Sequence, residues 1–245
     1  MRVFSFNYIY VYVTILFSVT IVILEVIGVF KKLVLYTAEL KQLRRFYMNV
    51  LSLPIDTVTN NSFNVQIGSS TITFIQQEKE AKYHFAVNIP GNQFTIIKEW
   101  ISDRQVLETQ EGIDEIYRVK FNADSFYIKD PSGNLIEFIG RRTRDFLGSF
   151  TLDAFYDISE ISIVTDDVNA VGELIQDMGI PLYFDSMIDE TNINYLGKDD
   201  AFIVLTPKDR EWAFSNEKAI ISPLTIQLKD ERVIEVSETG HVTIN

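Results

Sequence analysis

The chain has 245 residues, 47% hydrophobic and 23% charged, which suits one large domain or two small ones and excludes a mainly disordered chain. Its 22 Lys and Arg stand against 34 Asp and Glu, a net charge of −12, so the basic footprint that neutralises phosphates is missing and nucleic acid is not an expected partner. With no Cys and only His84 and His241, disulfides, thiolate chemistry, Cys-type zinc sites and any three-His site within the chain are ruled out.

From Val3 to Leu24 no residue is charged, and the apolar run continues past Glu25 to Phe30. Tyr8–Phe30 is long enough for a membrane helix. Lys31, Lys32, Lys41, Arg44 and Arg45 follow it, against Arg2 before it, which would leave the domain in the cytosol. No small-residue cleavage site marks a removable signal peptide. A second reading stands beside this one. Leu24-Glu25-Val26-Ile27 can be encoded by a purine-rich ribosome-binding sequence, with Val29 as a GTG start, so that residues 1–28 are translated leader. On either reading the domain is expected in the cytoplasm, free or anchored.

Lys32–Thr37 predicts a short strand. From Leu40 the apolar positions Leu43, Phe46, Tyr47, Val50 and Leu51 recur at helical spacing, and Pro54 ends the helix. Phe63–Ile67 and Thr71–Ile75, joined by Gly68-Ser69-Ser70, predict a hairpin. A second unit begins at Tyr83–Val87. It continues with a helix over Phe94–Ser102 and strands near Glu115–Phe121, Ser125–Lys129 and Leu135–Gly140. Asp130-Pro131-Ser132-Gly133-Asn134 is a turn between the last two strands.

Glu160–Leu182 repeats the first unit at one constant offset: Leu35 matches Ile163, Thr37 matches Thr165, Leu40 matches Val168 and Phe46 matches Leu174. Asp166-Asp167 reads as the cap of its helix. Ile193–Leu196 and Phe202–Leu205 predict the third hairpin. Thr225–Leu228 reads as a strand added to this unit, and Val233–Ile244 as a small hairpin around Glu238-Thr239-Gly240. The fold class is therefore α+β, with repeated β-α-β-β-β units forming curled, half-open mixed sheets. The expected organisation is the N-terminal segment 1–30, a module of two paired units over 31–142, a linker over 143–157, and a third unit with C-terminal strands over 158–245.

The stretches LYTAELKQLRRFYMNVLSLPI, VQIGSSTITF, YHFAVNIP and FYIKDPSGNLIEFIGRR resemble the vicinal-oxygen-chelate superfamily: glyoxalases, bleomycin-resistance and fosfomycin-resistance proteins, and extradiol dioxygenases. The resemblance covers Lys32–Arg142 densely and Ile158–Leu205 more loosely. It implies paired units whose first and last strands aim side chains into a cup. A divalent metal there chelates two neighbouring substrate oxygens. Carried over by position, the resemblance places Lys32 and Thr73 in unit one, His84 and Glu137 in unit two, and Glu160 and Phe202 in unit three. His84 and Glu137 are the implied metal ligands, with Glu137 also the catalytic candidate. Lys32 departs from the His or Gln usual there, because an ammonium is a poor ligand; it is expected to pair with Glu137 or to bind a substrate anion. Lys32, Phe126 and Glu160 are the candidate substrate contacts.

Each of these residues also has a plain structural reading. His84 is then a hydrogen-bonded strand histidine, Glu137 a partner of Lys32, and Glu160 a solvated edge charge. Trp100, Trp212 and the pair Phe126-Tyr127 are then packing. Three functions stay open: a metal-dependent lyase or isomerase of glyoxalase type; a metal-free protein that sequesters a small molecule in an acidic cup; and, weakest, an extradiol dioxygenase, which needs two His and one carboxylate. The expected cofactor is a divalent metal of unidentified kind, or none. The expected partner is a small molecule, with a homodimer as one way to pair the odd unit.

Overall fold

A computed structural model describes residues 30–184 and 187–245. Apart from Phe30, the N-terminal apolar segment lies outside the described residues, whether it is read as a membrane helix or as a leader. Among the described residues no helix is long and apolar enough to cross a membrane.

The first unit holds β1 (Phe30–Thr37), α1 (Leu40–Arg45), β2 (Ile55–Asp56), β3 (Ser62–Ile67) and β4 (Ser70–Gln76). Leu40 and Leu43 bury one side of α1, which widens into a π turn at Phe46–Val50 that buries Phe46 and Tyr47. Strand β3 alternates strictly: Phe63, Val65 and Ile67 are buried between half-buried polar residues. The second unit holds β5 (His84–Pro90), α2 (Phe94–Ser102), β6 (Ile116–Arg118), β7 (Ala123–Lys129) and β8 (Leu135–Arg141). In α2, Phe94, Ile97 and Ile101 form the buried stripe. The third unit holds β9 (Asp157–Thr165), α3 (Val168–Asp177), β10 (Asn194–Lys198) and β11 (Ala201–Pro207). Asp167 caps α3, its carboxylate accepting the Ala170 N–H at 3.0 Å. Strands β12 (Leu224–Leu228), β13 (Val233–Val236) and β14 (Val242–Ile244) complete the chain.

These strands form two curled, mixed sheets of seven strands each, in the orders β14-β13-β12-β1-β4-β3-β2 and β10-β11-β9-β5-β8-β7-β6. The pairing of units differs from the expectation. Units two and three share one sheet, joined where β5 runs antiparallel to β9. Unit one instead takes the C-terminal strands, through β1 antiparallel to β12. The reason is burial. Every residue of β5 is buried, so both of its edges need partners; β8 supplies one and β9 the other. Each sheet is thus completed within the single chain.

One hydrophobic core spans the inner faces of both sheets and the three helices. Polar contacts tie the two sheets. The Ser70 hydroxyl donates to Phe30 O and accepts from Ile158 N–H, linking β4, β1 and β9. Gly68, at φ +51°, lies so close to the 155–156 backbone that a Cβ there would sit 2.0 Å from Tyr156 O. In the turn Asp130–Asn134, the buried Asp130 carboxylate accepts backbone N–H groups from Ser132 and Asn134 and the Tyr47 hydroxyl at 2.9 Å. Burial pushes the Asp130 carboxyl up to about 6, against the pull of those hydrogen bonds. The conspicuous DPSGN run is therefore a fastening between units.

Candidate metal centre

In the sheet of units two and three, strand alternation sends one set of side chains to the core and the other into the cup. His84 leaves β5, Glu137 leaves β8 and Glu160 leaves β9 on the same side, while Phe85, Phe138 and Ile161 face the core. The three are 5%, 4% and 3% exposed. Each offers a ligand atom, and these atoms all lie within 4.8 Å of one another.

His84 Nε2 is hydrogen-bonded to Glu137 Oε2 at 3.2 Å, and Arg118 Nε lies 4.0 Å from Glu137 Oε1. Arg118, at the end of edge strand β6, also donates to the Tyr127 hydroxyl. Burial alone would raise the Glu137 carboxyl; the His84 hydrogen bond and the Arg118 charge outweigh it and hold the group below its ordinary range. Glu160 behaves oppositely. Burial, then the Glu137 charge, push it well up, and no hydrogen bond among the described residues stabilises its anion. The Trp212 ring stacks on the His84 ring with centroids 5.0 Å apart, and Phe214 stacks on Tyr127 at 4.7 Å. Both aromatics belong to the segment joining β11 to β12. Phe202, at the fourth position facing Glu160, supplies no ligand. Between Arg118, Phe121, Glu137, Ile139, Glu160 and Tyr195 remains a void of about 10 Å³, room for one water or one ion.

These residues fit a divalent metal. The donors are one imidazole and two carboxylates, a set that suits first-row divalent ions. The buried His84 Nδ1 has no hydrogen-bond partner, and Glu160 is a buried acid without a compensating donor. A cation held by Glu160 and its neighbours would supply the counter-charge that this buried acid lacks.

The structure separates other expected site residues from this cup. Lys32 lies in the other sheet, paired with Thr71 and Gln227, and its place beside Glu137 is taken by Arg118. The expected Lys32–Glu137 pair fails because unit one does not share a sheet with unit two. Phe126 points into the core, stacked on Phe138, and the next residue, Tyr127, faces the cup. A single step along a strand changes the face. Glu160 is buried, not a solvated edge charge, since β5 covers the edge on which it was placed. Trp100 packs against Phe150 and Phe155 as expected, whereas Trp212 belongs to the site. His241 is exposed in the turn between β13 and β14 of the other sheet, so the two-His set is not assembled. A groove of about 410 Å³ opens on that sheet beside Tyr36, Glu235, Glu238 and His241, away from the His84 cluster. Arg118 escaped sequence reading because it sits on a three-residue strand, and Trp212, read as packing, lies in an aperiodic connection.

A family model described as toxoflavin-degrading enzyme matches residues 158–210. No curated protein matches the chain. Among solved structures, the chain is similar to a candidate dioxygenase from Bacillus subtilis subsp. subtilis, with TM-score 0.56 and 11% identity over 89% of this chain and 84% of that one. It is also similar to a glyoxalase I variant from Zea mays, with TM-score 0.50 and 12% identity over 89% of this chain and 91% of that one. The chain thus has the glyoxalase/bleomycin-resistance/dioxygenase fold that its motifs resemble.

Proposed function

We propose that the chain is a divalent-metal-dependent enzyme of glyoxalase type, a lyase or isomerase acting on a small molecule in the cytoplasm. The observation that carries this reading is the convergence of His84, Glu137 and Glu160, from three strands of two units, on one buried point. These three residues would hold the ion. Bound there, it would polarise neighbouring substrate oxygens and stabilise charge developing on them. Glu137, kept ionised by His84 and Arg118, suits the role of anionic ligand. In the metal-free cup Glu160 holds its proton more readily than an ordinary carboxyl, so taking up the ion as a ligand would release that proton. Trp212 and Phe214 cover the His84 and Tyr127 rings beside the cup.

The sequestering alternative needs no ion and gives no reason for three ligand-type side chains to meet at one buried point. The void at this site is about 10 Å³, so on either reading a small molecule enters only if the covering side chains move. An extradiol dioxygenase finds one His where it needs two.

The test is metal analysis of the purified protein, followed by titration with Mn²⁺, Co²⁺ and Zn²⁺. One ion per chain is expected, lost in His84→Ala and Glu137→Ala. If the wild type takes up none of these ions, the reading is wrong.

A further inference from the structure

Arg118 is a cation already inside the proposed metal site. It lines the same small void as Glu137 and Glu160, with its Nε 4.0 Å from Glu137 Oε1. Buried carboxylates without a counter-charge are strongly unfavourable, so the guanidinium neutralises this cup in the protein as it stands.

Its hold on Glu137 is nevertheless loose. The contact is long and made through Nε, not through the two-pronged face that gives guanidinium–carboxylate pairs their strength. Glu137 is shared with His84, and the remaining contact of Arg118 is to the neutral Tyr127 hydroxyl. The side chain is 29% exposed. It therefore has a route to water along its own aliphatic stem. Strand β6, which carries it, is the edge of its sheet and only three residues long. The turn after it ends at Asn122, whose φ is +46°.

A guanidinium and a divalent ion beside one carboxylate repel each other, and the repulsion is strong where water is scarce. We propose that Arg118 is the resident counter-cation of the metal-free cup, that the metal binds in competition with it, and that Arg118 turns outward when the ion enters. Arg118 then sets the metal affinity without being a ligand. This inference rests on the metal-dependent reading above.

The test titrates wild type, Arg118→Met and Arg118→Lys with Mn²⁺, following free Mn²⁺ by electron paramagnetic resonance. Arg118→Met is expected to bind at least tenfold more tightly than wild type, and Arg118→Lys within about threefold of it. Equal or weaker binding by Arg118→Met, with wild type still taking one ion, overturns this inference and leaves the metal reading intact. No binding by either protein overturns both. A second measurement needs no variant. Phenylglyoxal labelling of Arg118 in the wild type, read by peptide mass, is expected to speed up severalfold when Mn²⁺ is added. Unchanged or slower labelling with Mn²⁺ bound overturns the outward turn.

Discussion

The Trp212 indole lies nearly parallel to the His84 imidazole, 28° between planes and 5.0 Å between centroids, and so covers one face of that ring. It is delivered by a connection that folds back on itself through an isolated bridge between Glu211 and Lys218, with the Trp212 N–H donating to Glu217 O at 3.1 Å. Phe214 is anchored beside it by its N–H, which donates to Gln110 Oε1. Replacing the indole opens a path to His84 while leaving the strands in place. Trp212→Ala is expected to speed Mn²⁺ association severalfold in stopped-flow mixing. Its cost in stability is about 1–2 kcal/mol, since Trp212 is half-buried and loses one aromatic contact. An unchanged association rate would show that ions reach the cup by another route.

Glu160 makes stability depend on pH in the metal-free protein. Its proton leaves the unfolded chain near 4.5 but is held in the folded protein up to about 8. The folded state therefore binds more protons across that window. Stability falls as pH rises from about 4.5 to about 8, and is level above. Glu137 acts in a different window: its folded value is depressed, so its contribution is present above the ordinary carboxyl range and is lost on acidification below it. Glu160→Gln keeps the shape and removes the charge. In chelator-treated protein the variant is expected to match wild type near pH 5 and to exceed it at pH 8.5 by on the order of 1–3 kcal/mol. Thermal melts at the two pH values decide; identical pH dependence in both proteins would count against a buried acid at this position.

Much of this was legible in the chain because it is local. The alternation of Phe63, Val65 and Ile67 and the spacing of Phe94, Ile97 and Ile101 each report one face of one element. His84, Glu137 and Glu160 were legible through the repeat and the motifs. What local pattern cannot carry is which units share a sheet. The β5–β9 and β1–β12 pairings join distant parts of the chain, and they decide that Glu160 meets Glu137 while Lys32 does not. Phe126 and Tyr127 differ by one residue and one face, and adjacent aromatics carry no label for either. Arg118 lies on a strand too short for any periodicity to emerge.

The seam between the sheets admits a sharp test at Gly68. Its φ of +51° is costly for a residue with a side chain, and the added Cβ would meet backbone atoms that have no rotamer to change. The same turn sends the Ser69 N–H to Tyr156 O at 2.9 Å, so the turn cannot retreat without losing that bond. Gly68→Ala is expected to destabilise the protein by about 2 kcal/mol or more in chemical denaturation. Gly112→Ala is the informative comparison. Its φ is +80° but nothing lies within 4 Å of the added Cβ, so it carries the conformational cost alone. If the two variants lose equal stability, the close approach at Tyr156 contributes nothing.

Two curled sheets raise the question of two metal sites, and the chemistry of the first sheet answers it. On the outward face of β1, Lys32, Val34 and Tyr36 alternate with the buried Leu33 and Leu35. Thr73 on β4 gives its hydroxyl to Asn64 Oδ1, and Thr225 and Gln227 come from β12. Ammonium, hydroxyl and amide groups do not make a divalent site like that of an imidazole with two carboxylates. The metal-type cluster among the described residues is the one in the other sheet. Titration is therefore expected to saturate at one ion per chain. Lys32→Ala should leave both stoichiometry and affinity within error of wild type, with a stability change inside about 0.5 kcal/mol for a half-exposed side chain. Glu160→Ala should weaken binding at least tenfold. A second equivalent of tightly bound ion, or an affinity change in Lys32→Ala, would mean that the first sheet also takes part in metal binding.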